Sequence, residues 1–322
     1  MDSNIVTVDA GGLASAVPTP RPSRTVAERK LALINLGAVV VPPLGLAVAI
    51  ALLWGVAFNW WYLALLAGMT AVSGLGVTVG YHRLCTHKSF HTPAVVRYLF
   101  AVAGSTAVQG PVIRWCAEHR KHHQHSDTES DPHSPHMGED GSWGEGIWAT
   151  ARGAFHAHMG WMLHHRSRGL RKYSADLRAD PAIALADRQF LFWVVAGLVL
   201  PAVLGGLCTM SWWGVLLGFL WGGLVRVALV HHVTWSVNSV CHLWGTRPFQ
   251  SHDQSRNNAL VGILAMGEGW HNNHHAFPTS ARHGLRWWEL DVSYLLICAL
   301  AACGLAKDVR VPTAERQARQ RA

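Results

Sequence analysis

Three histidine clusters set the chemistry open to this sequence. His82-Arg83-Leu84-Cys85-Thr86-His87 has the spacing HxxxxH, His119-Arg120-Lys121-His122-His123 reads HxxHH, and His271-Asn272-Asn273-His274-His275 repeats HxxHH. Between the last two, Asn238-Ser239-Val240-Cys241-His242 adds a ninth imidazole. On a helix, positions i, i+3 and i+4 share a face, so each HxxHH is expected to direct three imidazoles into one volume. Positions i and i+5 lie about 140° apart on an ideal helix. His82 and His87 therefore converge only if their helix ends, bends or unwinds. Nine imidazoles exceed the four ligands of one structural zinc. They can fill two metal sites with room for exchangeable oxygen ligands. Imidazole suits iron, zinc, copper and nickel alike, and the Glu plus Glu-x-x-His pattern of carboxylate-bridged bundles is missing.

The elements that carry these boxes are apolar. No Asp, Glu, Lys or Arg occurs from Leu31 to Tyr81 or from Gln189 to Val225, and none of the 21 histidines falls inside either block. A membrane span needs about 20 apolar residues, so each block holds two. The predicted spans are 32–57, 60–80, 190–207 and 212–232, with aromatic-rich turns at Phe58-Asn59-Trp60-Trp61 and Cys208-Thr209-Met210-Ser211-Trp212-Trp213, as expected at a membrane interface. Buried helices of a soluble protein rarely stay apolar on every face. With an even number of spans and charge-free hairpin turns, both termini and the 83–188 segment share one side. The positive-inside rule makes it cytoplasmic. Residues 1–30 read as a flexible tail, 31–305 as one membrane domain and 306–322 as a basic tail. The formal charge of +8 reads as orientation and contact with anionic lipid rather than nucleic-acid binding. Cys85, Cys116, Cys208, Cys241, Cys298 and Cys303 show no paired spacing, which leaves reduced thiols and gives no support for cysteine-bound zinc or haem. Redox work beside a bilayer points to iron, because zinc does not change oxidation state.

These residues resemble the membrane-bound fatty-acid desaturases, in particular the acyl-CoA delta-9 (stearoyl-CoA) branch and its actinobacterial-type members. The resemblance runs from about Leu31 to Leu305 and is carried by GYHRLCTHKSF, QGPVIRWCAEHRKHHQHSDTESDPHSP, HMGWM, WSVNSVCHLWG and GEGWHNNHHAFP. It implies an all-α integral membrane fold, in which four transmembrane helices form a stem under a cytosolic helical cap holding a di-iron centre. It implies His82, His87, His119, His122, His123, His242, His271, His274 and His275 as ligands, and Asn238 as a ligand through water. Gln109, Trp115, Thr234 and Trp235 match residues that line and bend an acyl tunnel. The implied reaction uses O₂ to place a cis double bond in a long-chain acyl-CoA or acyl-lipid. A separate electron donor such as a ferredoxin or flavin reductase supplies electrons. Cys85 stands where many relatives carry an aromatic. Ala117 replaces a basic residue that helps animal relatives hold the CoA headgroup, so no CoA contact carries over.

Metal-bound histidine usually donates its second N–H to a carboxylate or carbonyl, which makes Glu118, Asp127, Asp131 and Glu268 candidate orienting groups, or ordinary helix-surface and capping acids. The other histidines, His91, His125, His133, His136, His156, His158, His164, His165, His231, His232, His252 and His283, read as packing or surface groups. Arg171, Lys172 and Arg178 read as solvated charge rather than a headgroup site. A membrane hydroxylase, a desaturase of intact lipids and a non-catalytic zinc-binding membrane protein remain as alternatives.

Overall fold

The computed structural model describes residues 25–53, 59–138, 140–164 and 169–322. Four helices are long and apolar enough to cross a membrane: Glu28–Leu52, Trp60–Thr86, Phe190–Thr209 and Trp212–Leu243. They match the expected spans, with differences at the ends. The first helix already starts at Val26, inside the segment read as tail, because Thr25 and Glu28 cap it reciprocally: the Glu28 N–H donates to Thr25 Oγ1 (3.2 Å) and the Thr25 N–H to Glu28 Oε2 (2.8 Å). Residues 54–58, where that span was expected to finish, lie outside the described residues. The second and fourth helices run past their expected ends and include His82 and His242.

Each hairpin turn is closed by a capping side chain. Asn59 Oδ1 accepts the Trp61 N–H at 3.0 Å, and Ser211 Oγ accepts the Gly214 N–H at 3.0 Å after a left-handed Met210. Small residues bring the third and fourth spans together. A Cβ on Gly218 would stand 2.2 Å from the Pro201 carbonyl oxygen, and one on Gly205 2.3 Å from that of Gly214, so only glycine allows this approach. Arg226, fully buried in the fourth span, donates to Ser73 Oγ (3.0 Å), to the carbonyls of Gly197 (2.8 Å) and Gly222 (3.1 Å), and to that of Thr106. One guanidinium thus joins the second, third and fourth spans and the end of the Ala94–Ser105 helix.

The shorter elements include the helices Ala94–Ser105, Val112–His125, Ile147–Phe155, Pro181–Arg188, Ala259–Leu264, His271–Ala276, Val292–Ala302 and Ala314–Arg319, with one hairpin of two-residue strands, Met137–Gly138 and Gly141–Ser142. The 306–322 segment is basic, as read, and it is docked. Lys307 exchanges backbone hydrogen bonds with His91 (both 2.9 Å), the Arg310 N–H donates to the Ser89 carbonyl, and the Ala322 N–H to that of Pro248. All six cysteines are free thiols.

Candidate metal centre

The second span unwinds where it must present two histidines. Gly76–Thr86 is π-helical, and the His87 N–H bonds to the His82 carbonyl at 3.1 Å, an i→i+5 pairing. The wider turn swings position i+5 back toward i, and the two rings stand 4.8 Å apart. The remaining boxes do not send three imidazoles to one place. In the Val112–His125 helix, His119 and His123 face each other through Nε2 (3.1 Å), while His122 turns to a different group. In the His271–Ala276 helix, His271 and His275 point one way and His274 the other. At ~100° per residue, i+3 and i+4 lie about 100° apart, so a box held between two sites divides two and one. Two clusters result: His82, His87, His119, His123 and His274, which are partly to fully buried, and then His122, His242, His271 and His275, all buried.

The donor atoms fit metal ions. The Nε2 atoms of His82 and His274 (3.0 Å), His274 and His123 (2.9 Å), and His271 and His242 (3.1 Å) face one another. A neutral imidazole has one donor and one acceptor nitrogen, so the chain His82–His274–His123–His119 leaves lone pairs directed at a common point. Buried Nε2 atoms of His87, His122 and His275 have no hydrogen-bond partner among the described residues. Four rings are fixed from behind. His122 Nδ1 meets Asp131 (2.9 and 3.0 Å), His242 Nδ1 meets Asp127 (2.9 Å), His275 Nδ1 meets Asp253 (2.5 Å), and His82 Nδ1 meets Glu268. A carboxylate at Nδ1 places the proton there and leaves the Nε2 lone pair for a cation.

Three of the four carboxylates singled out in the sequence therefore stand behind ligands. Glu118 instead lies 4.0 Å from Arg114. Asp253 carried no sequence signal, since it sits in a loop remote from every box. Glu268 is shared with the fully buried Arg83, whose Nε (3.2 Å) and Nη2 (3.0 Å) also donate to it, while Arg83 Nη1 donates to Asp291 (2.8 Å). Asp127 adopts φ 60° to reach His242, backbone strain placed at the site. Burial alone would raise the carboxyls of Asp127, Asp131 and Asp253, but the facing imidazoles of His242, His122 and His275 outweigh it and hold them well below the usual carboxylate range. Burial, reinforced by neighbouring imidazoles, pushes His87, His119, His123, His271 and His274 well below the usual histidine value, and His275 to about 4 despite Asp253. These six imidazoles are thus held in the neutral form, which metal binding requires.

A cavity of about 320 Å³ borders both clusters, reaching His82 and His119 of the first and His271 of the second. Its other walls include Val77, Trp115, Val230, Val233, Thr234, Val237 and Asn238. Of the four tunnel residues, Trp115 and Thr234 line it. Gln109 stands one step behind, donating to Thr234 Oγ1 (3.0 Å) and accepting from Trp115 Nε1 (3.3 Å). Trp235 is buried elsewhere, against His231 (4.7 Å), His232 (5.3 Å) and His158 (5.7 Å). The sequence missed the far wall, Ile263, Leu264, Ala265 and Met266, a short run without any motif.

A family model described as fatty acid desaturase matches residues 59–292, from the first hairpin turn to beyond the third histidine box. The chain belongs to the fatty acid desaturase family. Relatives of this desaturase include a hex-5-enoyl-[acyl-carrier protein] acetylenase of Moorena producens, 44% identical over 86% of this chain and 85% of the relative. The sn-1 stearoyl-lipid 9-desaturase of Anabaena variabilis is 39% identical over 74% and 79%, and the icosanoyl-CoA 5-desaturase of Limnanthes douglasii 39% over 80% and 67%. The desaturase is therefore an oxidoreductase of fatty acyl chains, with apolar helices suited to a membrane. The acyl-CoA delta-9 branch is not singled out, because the relatives' names span carrier protein, lipid and CoA.

Proposed function

We propose that this chain is an O₂-dependent desaturase that places a cis double bond at the delta-9 position of a long-chain acyl group, using two irons held by the two histidine clusters. The observation that carries this reading is a single apolar cavity bordered by ligands of both clusters. When bound, the irons supply the oxidising power that an inert alkyl C–H bond requires and no side-chain acid or base can provide. Removal of two hydrogens gives two of the four electrons that reduce O₂ to two waters. An external donor such as a ferredoxin or flavin reductase gives the other two, with two protons.

The chain's own residues hold the substrate still and dry. Val77, Val230, Val233 and Val237 surround the methylenes and exclude water. The Gln109–Thr234–Trp115 hydrogen bonds fix the wall beside His119, on which Trp115 stacks at 5.1 Å. That wall selects which carbons face the metals, a positioning effect that can be worth on the order of 10²-fold. Asn238 lines the cavity one helical turn before His242 of the second cluster, suited to hold a water there. The acyl-CoA donor inferred from the family resemblance is one reading of the carrier. An intact lipid is the second, favoured by the stearoyl-lipid name of the Anabaena relative. Both termini and the cap are assigned to the cytoplasm by the charge distribution.

The test is paired. In membranes with a reductase partner, His274→Ala removes metal and activity together. Thr234→Leu keeps metal while lowering turnover or shifting the double bond in the fatty-acid profile. Full metal and turnover in the His274 variant would refute the centre. Wild-type rate and bond position in the Thr234 variant would refute the assignment of the wall.

A further inference from the structure

Part of the cavity lining is strongly exposed. Leu229, Ile263 and Leu264 line the cavity and are 43%, 57% and 54% exposed, whereas Val77, Val230 and Val237 of the same lining are buried. Leu229 belongs to the fourth span. It lies roughly 26 Å along the helix axis from Trp212 at ~1.5 Å per residue, inside a hydrocarbon core of ~30 Å. Ile263 and Leu264 belong to the Ala259–Leu264 helix, which packs on that span through Val261 against Val237 and Cys241. These three side chains thus line the cavity and carry the exposure of a surface at once.

The surroundings are those of a submerged edge rather than a wet one. The Ala259–Leu264 helix has the sequence ALVGIL, and Val292–Ala302 has VSYLLICALAA; neither carries a charge. Leu260 (68% exposed) and Leu295 (58%) stand free of the protein. Between the two helices the chain presents Trp287, almost wholly exposed, and Trp288, which packs edge-on against Trp270 (5.5 Å). Trp270 in turn covers Gly262, where a Cβ would meet its ring at 2.9 Å, and the Ser293 N–H bonds to the Met266 carbonyl at 3.1 Å. A chain of contacts through Trp270 thus joins the Ala259–Leu264 helix to the exposed tryptophans. Contiguous exposed apolar surface of this kind marks a membrane contact, and tryptophan favours the headgroup level.

We propose that acyl chains enter the cavity sideways from the bilayer, through the seam between the fourth span and the Ala259–Leu264 helix, with the chain of a membrane lipid as the occupant. The side chains of Leu229, Ile263 and Leu264 form the gate. Rotation of flexible leucine and isoleucine side chains opens it without moving a metal ligand. A lipid-borne chain then reaches the metals while its headgroup stays at the level of Trp287 and Trp288. This proposal rests on reading the cavity as the acyl site and extends it to the form of substrate admitted.

The experiment uses photolabelling, which needs no turnover. The full chain is placed in vesicles of a phosphatidylcholine bearing a mid-chain diazirine on its sn-1 acyl group. In a second arm the same diazirine acyl group is offered as a CoA thioester from the aqueous phase. The lipid probe is expected to label the interior positions Val77 and Val237 as well as the outward-facing Val199. In a Leu229→Trp/Ile263→Trp variant, interior labelling is lost, while Val199 labelling and metal content stay at wild-type levels. Interior labelling by the CoA probe alone, interior labelling by neither probe, or undiminished lipid labelling in the tryptophan variant would each overturn the route. A chain that passes this test yet desaturates no acyl donor would instead overturn the desaturase reading and leave the lateral route standing.

Discussion

Replacing Asp253 by Asn tests the logic of the metal centre at a residue that touches no metal. The Asp253 carboxylate accepts from Ser251 Oγ (2.9 Å), Ser255 N–H (3.0 Å) and Ser255 Oγ (2.5 Å) through Oδ1, and from His275 Nδ1 (2.5 Å) through Oδ2. The Ser255 backbone N–H can only donate, so an asparagine must keep its carbonyl on that side. Its NH₂ then faces His275 Nδ1 and forces the other tautomer, with a proton on Nε2 where the metal should bind. His275 must flip, lose its partner or lose the metal. Loss of such a supporting partner typically costs 10–100-fold in metal affinity, or roughly 1.4–2.7 kcal/mol. Chelator competition on the purified protein measures this for the second cluster, and Asp253→Glu controls for charge. Wild-type affinity in Asp253→Asn would show that the carboxylate does not set the tautomer.

Three further outcomes follow from the geometry. Arg226→Met orphans the buried acceptors of Ser73, Thr106 and Gly197, at about 1–3 kcal/mol for each that finds no substitute; thermal unfolding in detergent should show a lower midpoint with metal content per folded chain unchanged, and an unchanged midpoint would refute the clamp. In the metal-free protein, His87, His119, His123, His271 and His274 stay neutral when folded but protonate near 6.5 when unfolded, so the unfolded state binds more protons as pH falls. Stability is then full above about pH 6.5 and declines below it, and denaturant midpoints that are flat from pH 8 to 5.5 would contradict this. Cysteine reporters at Thr150 and Glu315 should report the cytoplasm and those at Asn59 and Ser211 the opposite side; one reversal breaks the four-span topology.

What the sequence revealed was whatever repeats at fixed spacing or lacks charge. The spans were legible because absence of charge over 20 residues has few explanations, and their hairpin turns because tryptophans cluster where each charge-free block folds back. The histidine boxes were visible, and HxxxxH announced the unwinding of Gly76–Thr86 since no regular α-helix would join His82 to His87. The partition of each HxxHH between two sites was hidden. It depends on how the Val112–His125 and His271–Ala276 helices are rotated about their axes, which only packing decides. Asp253 and the Ile263–Met266 wall were invisible for a related reason: they act through position in space and carry no periodic pattern. The docking of residues 306–322 was missed because its backbone bonds to His91, Ser89 and Pro248 require no particular side chains.

The pairing of His82 Nε2 with His274 Nε2 across 192 residues has a consequence for the order in which the protein is made. Both clusters draw ligands from before the third span and from after the fourth. The first hairpin and the second box leave the ribosome with five of the nine histidines and neither site complete. A metal ion would therefore find its full ligand set only once the last hairpin and the His271–Ala276 helix have been synthesised. Metal capture then becomes the closing step of biogenesis, and it fastens the two halves of the chain to one another.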